Sequence, residues 1–313
     1  MRSRSLSMSL VAAVVAVLLP AAALAQTQSD GEPLTPWGDP NLEGTWSYAS
    51  LTPLQRPAGL GDRRHYTEEE AAARNLEVTL DREPPPGSVG SYNALWFDRG
   101  RVSPDLRTEL IIDPPNGRLP ITAETAAQAE ADRAYRAEHP ADSHLDRSNW
   151  DRCITYHGVP PVSTGYNNTY QIVQTPDHVA IRVENIHDVR IIPIDGRDRL
   201  TDDIRQWNGD SRGHWEGDTL VVETRNFSDK TQHRFPSSPD TVAVERFRRL
   251  DDNTLEHTFT VEDSTVYTRP WTGMRHMPRL PDYIIYEYAC HEGNYAMTNL
   301  LRAERTWEAT GRR

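Results

Sequence analysis

Past its first residues the chain has no apolar run long enough to cross a bilayer. Positive charge is scarce too. The formal net charge is −12, and −14 once Arg2 and Arg4 are set aside. A surface this acidic repels phosphate backbones and anionic headgroups, so neither nucleic acid nor membrane insertion is expected. Net negative charge also serves plain solubility. Eleven histidines are present, yet none falls in a His-x-His or His-Glu-x-x-His spacing, and there is no Cys-x-x-Cys. No metal site is therefore expected from spacing, which leaves open one assembled from distant residues such as His187, His291 and Glu292. Glycine-rich phosphate loops and dinucleotide fingerprints are missing, so no organic cofactor is expected. No serine is assigned as a nucleophile. No repeat of fixed period is present, which disfavours a propeller.

What is present begins with a targeting segment. Arg2 and Arg4, an apolar run over residues 10–19 and the small-residue step Ala23-Leu24-Ala25 read as a signal peptide over residues 1–25, cleaved after Ala25. The mature protein is then periplasmic or secreted. Its two cysteines, Cys153 and Cys290, fit that compartment, because an even count in an exported chain points to a disulfide. The alternative, a reactive thiol, has in its favour His291 beside Cys290.

About 290 residues then remain, enough for one large β domain or two small ones. Residues 26–40 are polar and proline-rich and read as an extended arm. Residues 41–165 read as an N-terminal segment with two helices. The first opens at the capping box of Thr67 and Glu70 and runs to about residue 80, before Pro84-Pro85-Pro86-Gly87. A strand is expected over 107–113, and an alanine-rich helix from Thr122 to residue 138, halted by Pro140. From residue 166 the texture changes to period-two runs, at 166–175, 178–185, 186–194, 212–215, 219–227, 241–250, 254–262, 265–271 and 283–290. Turns such as Pro176-Asp177, Glu216-Gly217-Asp218 and Asp251-Asp252-Asn253 make the pairing antiparallel. No helix alternates with the strands, which opposes a parallel sheet. The expected fold is mainly β: an antiparallel meander over 166–313 that closes into a barrel, with the partly helical segment packed on it.

Two resemblances refine this. Gly44 and Trp46 resemble the Gly-x-Trp first strand of lipocalin-like (calycin-like) barrels, where the Trp plugs one end. At greater length, LEGTW, LTPLQRP, WFDRG, ELIIDPPNGR, YNNTYQIVQTP, ENIHDVRIIPIDGR, GDSRGHWEGDTLVVET, RPWTG and YEYACHEGNYAM resemble the motifs of an uncharacterised family of exported bacterial β-rich proteins. This second resemblance covers nearly everything after the signal peptide. It implies export and a β-rich fold and carries no activity.

Chemistry is expected around residues 184–227. Alternate residues of a strand share a face. Glu184, Asp188 and Arg190 then lie on one side with Ile186 and Ile192, and His187 on the other unless a bulge or strand end turns it inward. Glu184 or Asp188 would serve as general base, and Arg190 would hold an oxyanion or carboxylate. The structural alternative is a self-neutralising Asp188–Arg190 pair. In the loop that follows, Trp207 would stack on a ligand closed over by Asp210 and Arg212; otherwise Asp210 caps the Gly209 turn. Tyr288-Ala289-Cys290-His291-Glu292 sets a His–Glu pair beside the cysteine, either an acid–base mount or a capping histidine with an exposed acid. His257 shares a face with Leu255, Phe259 and Val261 and reads as a hydrogen-bonded core histidine. Eight Trp and twelve Tyr against five Phe tilt the aromatics toward rings with a polar handle. Such rings suit sugars and phenols as well as core filling, and Trp271 and Tyr288 join Trp207 as substrate-binding candidates.

The expected function is an exported enzyme that uses carboxylate and imidazole acid–base chemistry on a small polar-aromatic or glycosidic substrate. It would be a hydrolase, lyase or isomerase, with Glu184, Asp188, Arg190, His187, His291 and Glu292 as catalytic candidates. The alternatives are a non-catalytic lipocalin-like small-molecule binding protein and an interaction module of the cell envelope.

Overall fold

The computed structural model describes residues 33–80, 94–156 and 158–311, with the backbone alone described at His187. The expected signal peptide and its cleavage site, the start of the arm and the proline run at 84–87 lie outside the described residues.

Capping decides where the early helices begin. Thr67 Oγ1 accepts from Glu70 N at 3.2 Å while Glu70 Oε2 accepts from Thr67 N at 2.9 Å. Helix α1, Glu68–Glu77, follows. Thr122 Oγ1 accepts from Thr125 N at 3.1 Å and opens α2, Ala123–Glu138, which stops ahead of Pro140. A third helix, α3, spans Ala296–Thr310 and ends on left-handed Gly311. Its N-cap, Tyr295, makes no side-chain bond, and the residue that does is Asn294, whose Oδ1 accepts from Ala296 N at 3.1 Å, one position ahead of where a cap is sought.

The strands are β1 (Gly44–Ser47), β2 (Ile111–Asp113), β3 (Thr169–Gln174), β4 (His178–Val183), β5 (Val189–Pro193), β6 (Asp210–Glu216), β7 (Thr219–Arg225), β8 (Val242–Asp251), β9 (Thr254–Glu262) and β10 (Trp271–Pro278). The fold is mainly β, as expected, and every ladder is antiparallel. The strands form two sheets rather than one meander. One runs β1-β3-β4-β5 and the other β2-β10-β9-β8-β7-β6. Segments before residue 166 thus supply one strand to each sheet. The sheets approach at two corners. Trp46 of β1 makes an isolated bridge to Arg279, just past β10, and β5 lies beside β6. Gly213 makes the second approach feasible, since a Cβ there would stand 2.9 Å from Ile194 and 3.0 Å from Ile192. Among the described residues no ladder of hydrogen bonds closes the two sheets into a ring.

Two expected strands are not strands. Over 265–271 the chain turns instead, because Asp263 accepts from the backbone nitrogens of Thr265, Val266 and Tyr267. Strand β10 begins only after Pro270, which has no N–H to give. Residues 283–290 form an extended strap with Tyr286 O bonded to the Arg182 side chain. Strand β4 is already flanked by β3 and β5, so it has no free edge for the strap to join. Residues 33–40 fold into a turn bridged by Leu34 and Pro40.

Two large apolar clusters fill most of the interior, with smaller ones around Tyr66 and Phe227. The first holds Leu42, Trp46, Ile172, Val179, Ile181, Ile192, Leu220, Val222, Phe247, Leu255 and Met277. The second holds Ile111, Phe235, Phe259, Val261, Tyr267 and Trp271. Cys153 and Cys290 form the expected disulfide, tying the strap to the segment after α2. Among the described residues no helix is long and apolar enough to cross a membrane.

Candidate functional site

Three neighbouring strands set ionisable side chains in largely apolar inward faces, and β8 also carries Arg249 at its far end, where it donates to Asn41 O and Asp251 O. Glu245 stands between Ala243 and Phe247 on β8, His257 between Leu255 and Phe259 on β9, and Arg275 between Gly273 and Met277 on β10. Register places His257 directly opposite both Arg275 and Phe247. From the facing sheet come Arg190, in phase with Ile192 on β5, and Tyr170 on β3. Tyr48, just past β1, brings its ring centroid 4.8 Å from that of Tyr170. All six are buried. On β9 His257 lies between Leu255 of the first cluster and Phe259 of the second, and on β10 Arg275 lies between Met277 of the first and, beyond Gly273, Trp271 of the second, so they form a polar belt across the core.

Arg190 Nη1 donates to Glu245 Oε2 at 2.5 Å, and Glu245 Oε1 lies 3.1 Å from His257 Nε2. Burial alone would raise the Glu245 carboxyl, but the Arg190 charge and the His257 bond outweigh it and hold it at about 2. An ionised carboxylate only accepts, so His257 carries its proton on Nε2 and donates. Burial, opposed by Glu245, takes His257 down to about 4. The ring is therefore neutral at pH 7, and its Nδ1 is a lone-pair nitrogen without a partner among the described residues. Phe247 stacks on it at 4.4 Å with 5° between the planes, which fixes its orientation.

Glu184 follows β4 and is buried. The Tyr283 hydroxyl donates to its Oε1 at 2.5 Å, and its Oε2 has no partner among the described residues. Asn185–His187 form a 3₁₀ turn in which Ile186 has φ +57°. A β-branched residue adopts that value only when its surroundings impose it. The turn breaks the alternation expected through 184–190, and Arg190 faces inward from a separate strand. Asp188 is half-exposed and lies near enough to Tyr170 to act on its hydroxyl. Burial first, then Glu245 and Asp188, push that hydroxyl up against the pull of Arg190 and Arg275.

Of the expected catalytic residues Arg190 belongs to the belt, while Glu184 and Asp188 act on its tyrosines, Tyr48 and Tyr170, from beside it. The other candidates stand elsewhere. Asp210 and Arg212 pair at 2.5 Å on the outward side of β6. Asp210 also accepts from Leu200 N, and Arg212 donates to Asp198 O, so the pair braces the loop before β6. Trp207 lies half-buried in that loop, with its carbonyl accepting from Thr231. Trp271 is wholly buried in the second apolar cluster. Tyr288 lines a groove of about 450 Å³ with Trp150 and Cys290, and its hydroxyl accepts from Trp150 Nε1 at 3.2 Å. His291 and Glu292 are exposed on the turn after the disulfide. The side chain of His187 lies outside what is described. Three acids close enough to share a cation occur, among the described residues, at Asp142, Glu304 and Glu308 and not at the belt.

Glu245, Arg275, Tyr48 and Tyr170 are the residues that sequence reading missed. The signal was phase: Glu245 and Arg275 fall on the apolar parity of their own strands. Residues 209–213 also read Gly-Asp-Ser-Arg-Gly, a Gly-x-Ser-x-Gly pattern. That pattern marks a nucleophile only at a strand–turn–helix elbow. Here Ser211 lies within β6, buried, with its Oγ 2.9 Å from Thr224 Oγ1 on β7.

Comparison of the chain with protein-family models, with curated proteins and with solved structures found no match in any of the three. The site itself therefore carries the functional argument.

Proposed function

We propose that this is an exported enzyme that performs acid–base chemistry, without an organic cofactor, on a small polar-aromatic substrate received between the two sheets. The observation that carries this reading is the Glu245–His257 bond. It fixes one tautomer and leaves Nδ1 as a base, neutral at physiological pH, while Glu245 stabilises the imidazolium that forms when Nδ1 takes a proton. Arg190 keeps Glu245 ionised. Tyr170, with a hydroxyl that burial keeps protonated, is a donor for negative charge developing on the substrate, and Tyr48, whose hydroxyl donates to Asn167 O, packs beside it. Glu184, with one oxygen held by Tyr283, is the second proton carrier. Hydrolysis, elimination and isomerisation all fit this set.

The fold is read as a lipocalin-like barrel, opened at the β5–β6 and β1–β10 corners, and the disulfide supports export to the periplasm or beyond. The test is turnover of aryl esters, aryl glycosides and enolisable aryl keto acids by the wild type, set against His257→Gln. Loss of about 100-fold or more with an unchanged circular dichroism spectrum is expected. Equal rates in the two proteins would remove His257 from the chemistry.

The complete burial of His257 between Phe247 and Phe259 favours a second reading, a carrier that binds the same ligand without converting it. Tight binding of a panel member by the wild type, with no product released from any, would select it.

A further inference from the structure

Arg275 is a buried cation without a carboxylate. It is 2 % exposed, and its Nη2 donates to Pro161 O at 2.5 Å while its guanidinium stands 4.8 Å over the Phe259 ring. Its Nε and Nη1 have no partner among the described residues. None of the ion pairs among the described residues includes it, and both oxygens of Glu245 are already occupied by Arg190 and His257. Burial brings the Arg275 guanidinium down to about 10, with Tyr170, Tyr48 and Glu245 resisting the fall, so it remains charged at pH 7. An uncompensated buried charge is costly, and a fold tolerates one where a ligand supplies the counter-charge. Arg190 adds two further donors, Nε and Nη2, that also lack a partner among the described residues.

We infer that Arg275 and the free edge of Arg190 receive a small organic anion, a carboxylate carried on an aromatic body, in the belt between the two apolar clusters. Arg275 stands opposite His257 in register, and His257 lies 3.1 Å from the Glu245 carboxylate that Arg190 holds, so the two guanidiniums share one neighbourhood. A carboxylate takes paired N–H donors from an arginine edge. Phe247, Phe259 and Met277 flank the belt on its apolar sides and would hold the ring of such a ligand. The site rests on the reading that a small molecule enters between the sheets, and it names the substrate class for that reading.

Calorimetric titration of the full-length protein with benzoate, benzamide and acetate tests it. Benzoate is expected to bind, acetate more weakly, and benzamide at least about tenfold more weakly than benzoate, as befits the loss of a charge-assisted pair. Arg275→Met is expected to unfold at a higher temperature than the ligand-free wild type, since it removes the unpaired charge, and to lose benzoate binding. Arg275→Lys should keep part of the binding. Benzoate and benzamide binding alike, benzoate binding unchanged in Arg275→Met, or no binding of any anion would overturn the inference. Benzoate binding by His257→Gln at wild-type strength keeps the anion site separate from catalysis, because that site then stands whatever becomes of turnover.

Discussion

The Nη1 atom of Arg190 on β5 lies 2.5 Å from Oε2 of Glu245 on β8, so an ion pair spans the two sheets. Neither side chain reaches solvent to any useful extent. Removing one partner leaves the other charged in the core, at a cost of about 3–5 kcal/mol. Glu245→Leu and Arg190→Met are each expected to lower the urea unfolding free energy by that order. The double variant is expected to recover most of the loss, because both charges leave together. Fully additive losses would show that the two side chains do not act as a pair.

Acid should weaken the fold in two stages. His233, half-buried between Phe227 and Phe235 with its Nε2 shut from solvent, and His257 are both held at about 4 against 6.5, chiefly by burial. Between those values the unfolded chain binds protons that the folded chain refuses, so stability is full above pH 6.5 and falls as pH drops toward 4. At about 1.4 kcal/mol per unit this amounts to something on the order of 3 kcal/mol for each ring. Glu245 acts lower down. Its carboxyl is held at about 2 against 4.5, so its contribution is present above pH 4.5 and is lost as pH falls through that window. Urea midpoints at pH 7, 5 and 4 check the first stage, and His233→Asn should shrink the drop between pH 7 and 5. A midpoint that does not move over that interval would contradict the burial of both rings as neutral species.

The sequence made visible what local rules govern. Thr67 and Thr122 announced their helices because capping uses atoms within three residues. The hairpins of β6–β7 and β8–β9 followed from Gly217, which turns with φ +63°, and from Asp251, whose side chain accepts from Asn253 N at 2.7 Å. The strap at 283–290 has the alternation of a strand but lacks a partner edge, and edges belong to tertiary structure. Arg190 was legible as a buried charge, whereas its partner was not. Glu245 lies 55 positions away, and pairing at that separation is set by how the sheets face one another. Ile186 hid the break between β4 and β5, since a β-branched residue argues for strand and against a left-handed turn.

The disulfide should contribute a large share of the stability. Cys153 and Cys290 are 137 residues apart, and closing a loop of that length restricts the unfolded chain by about 5 kcal/mol in the chain-entropy model. It also anchors the strap whose Tyr283 holds Glu184. The Cys153→Ser/Cys290→Ser protein is therefore expected to unfold at markedly lower urea concentration than the oxidised wild type. Reductant should produce the same shift in the wild type and none in the variant. A reductant effect of equal size in both would place its origin elsewhere than this bond.

The approach of the two sheets at β5 and β6 should depend on the absence of a side chain at position 213. A Cβ on Gly213 would stand 2.9 Å from Ile194 and 3.0 Å from Ile192, closer than carbon atoms sit without displacement. Ile192 is wholly buried in the first apolar cluster and shares the inward face of β5 with Arg190. Gly213→Val is therefore expected to force that strand outward, to cost about 1–3 kcal/mol and to loosen the Arg190–Glu245 pair with it. Gly217, in the β6–β7 turn, is the control. It has φ +63° and nothing within 4 Å of an added Cβ, so Gly217→Val strains the backbone by about 1–2 kcal/mol and leaves the corner untouched. Hydrogen exchange separates the two. Amides of β5 should exchange faster in Gly213→Val and at the wild-type rate in Gly217→Val, whereas equal protection of β5 in both variants would mean that the sheets are not pressed together there.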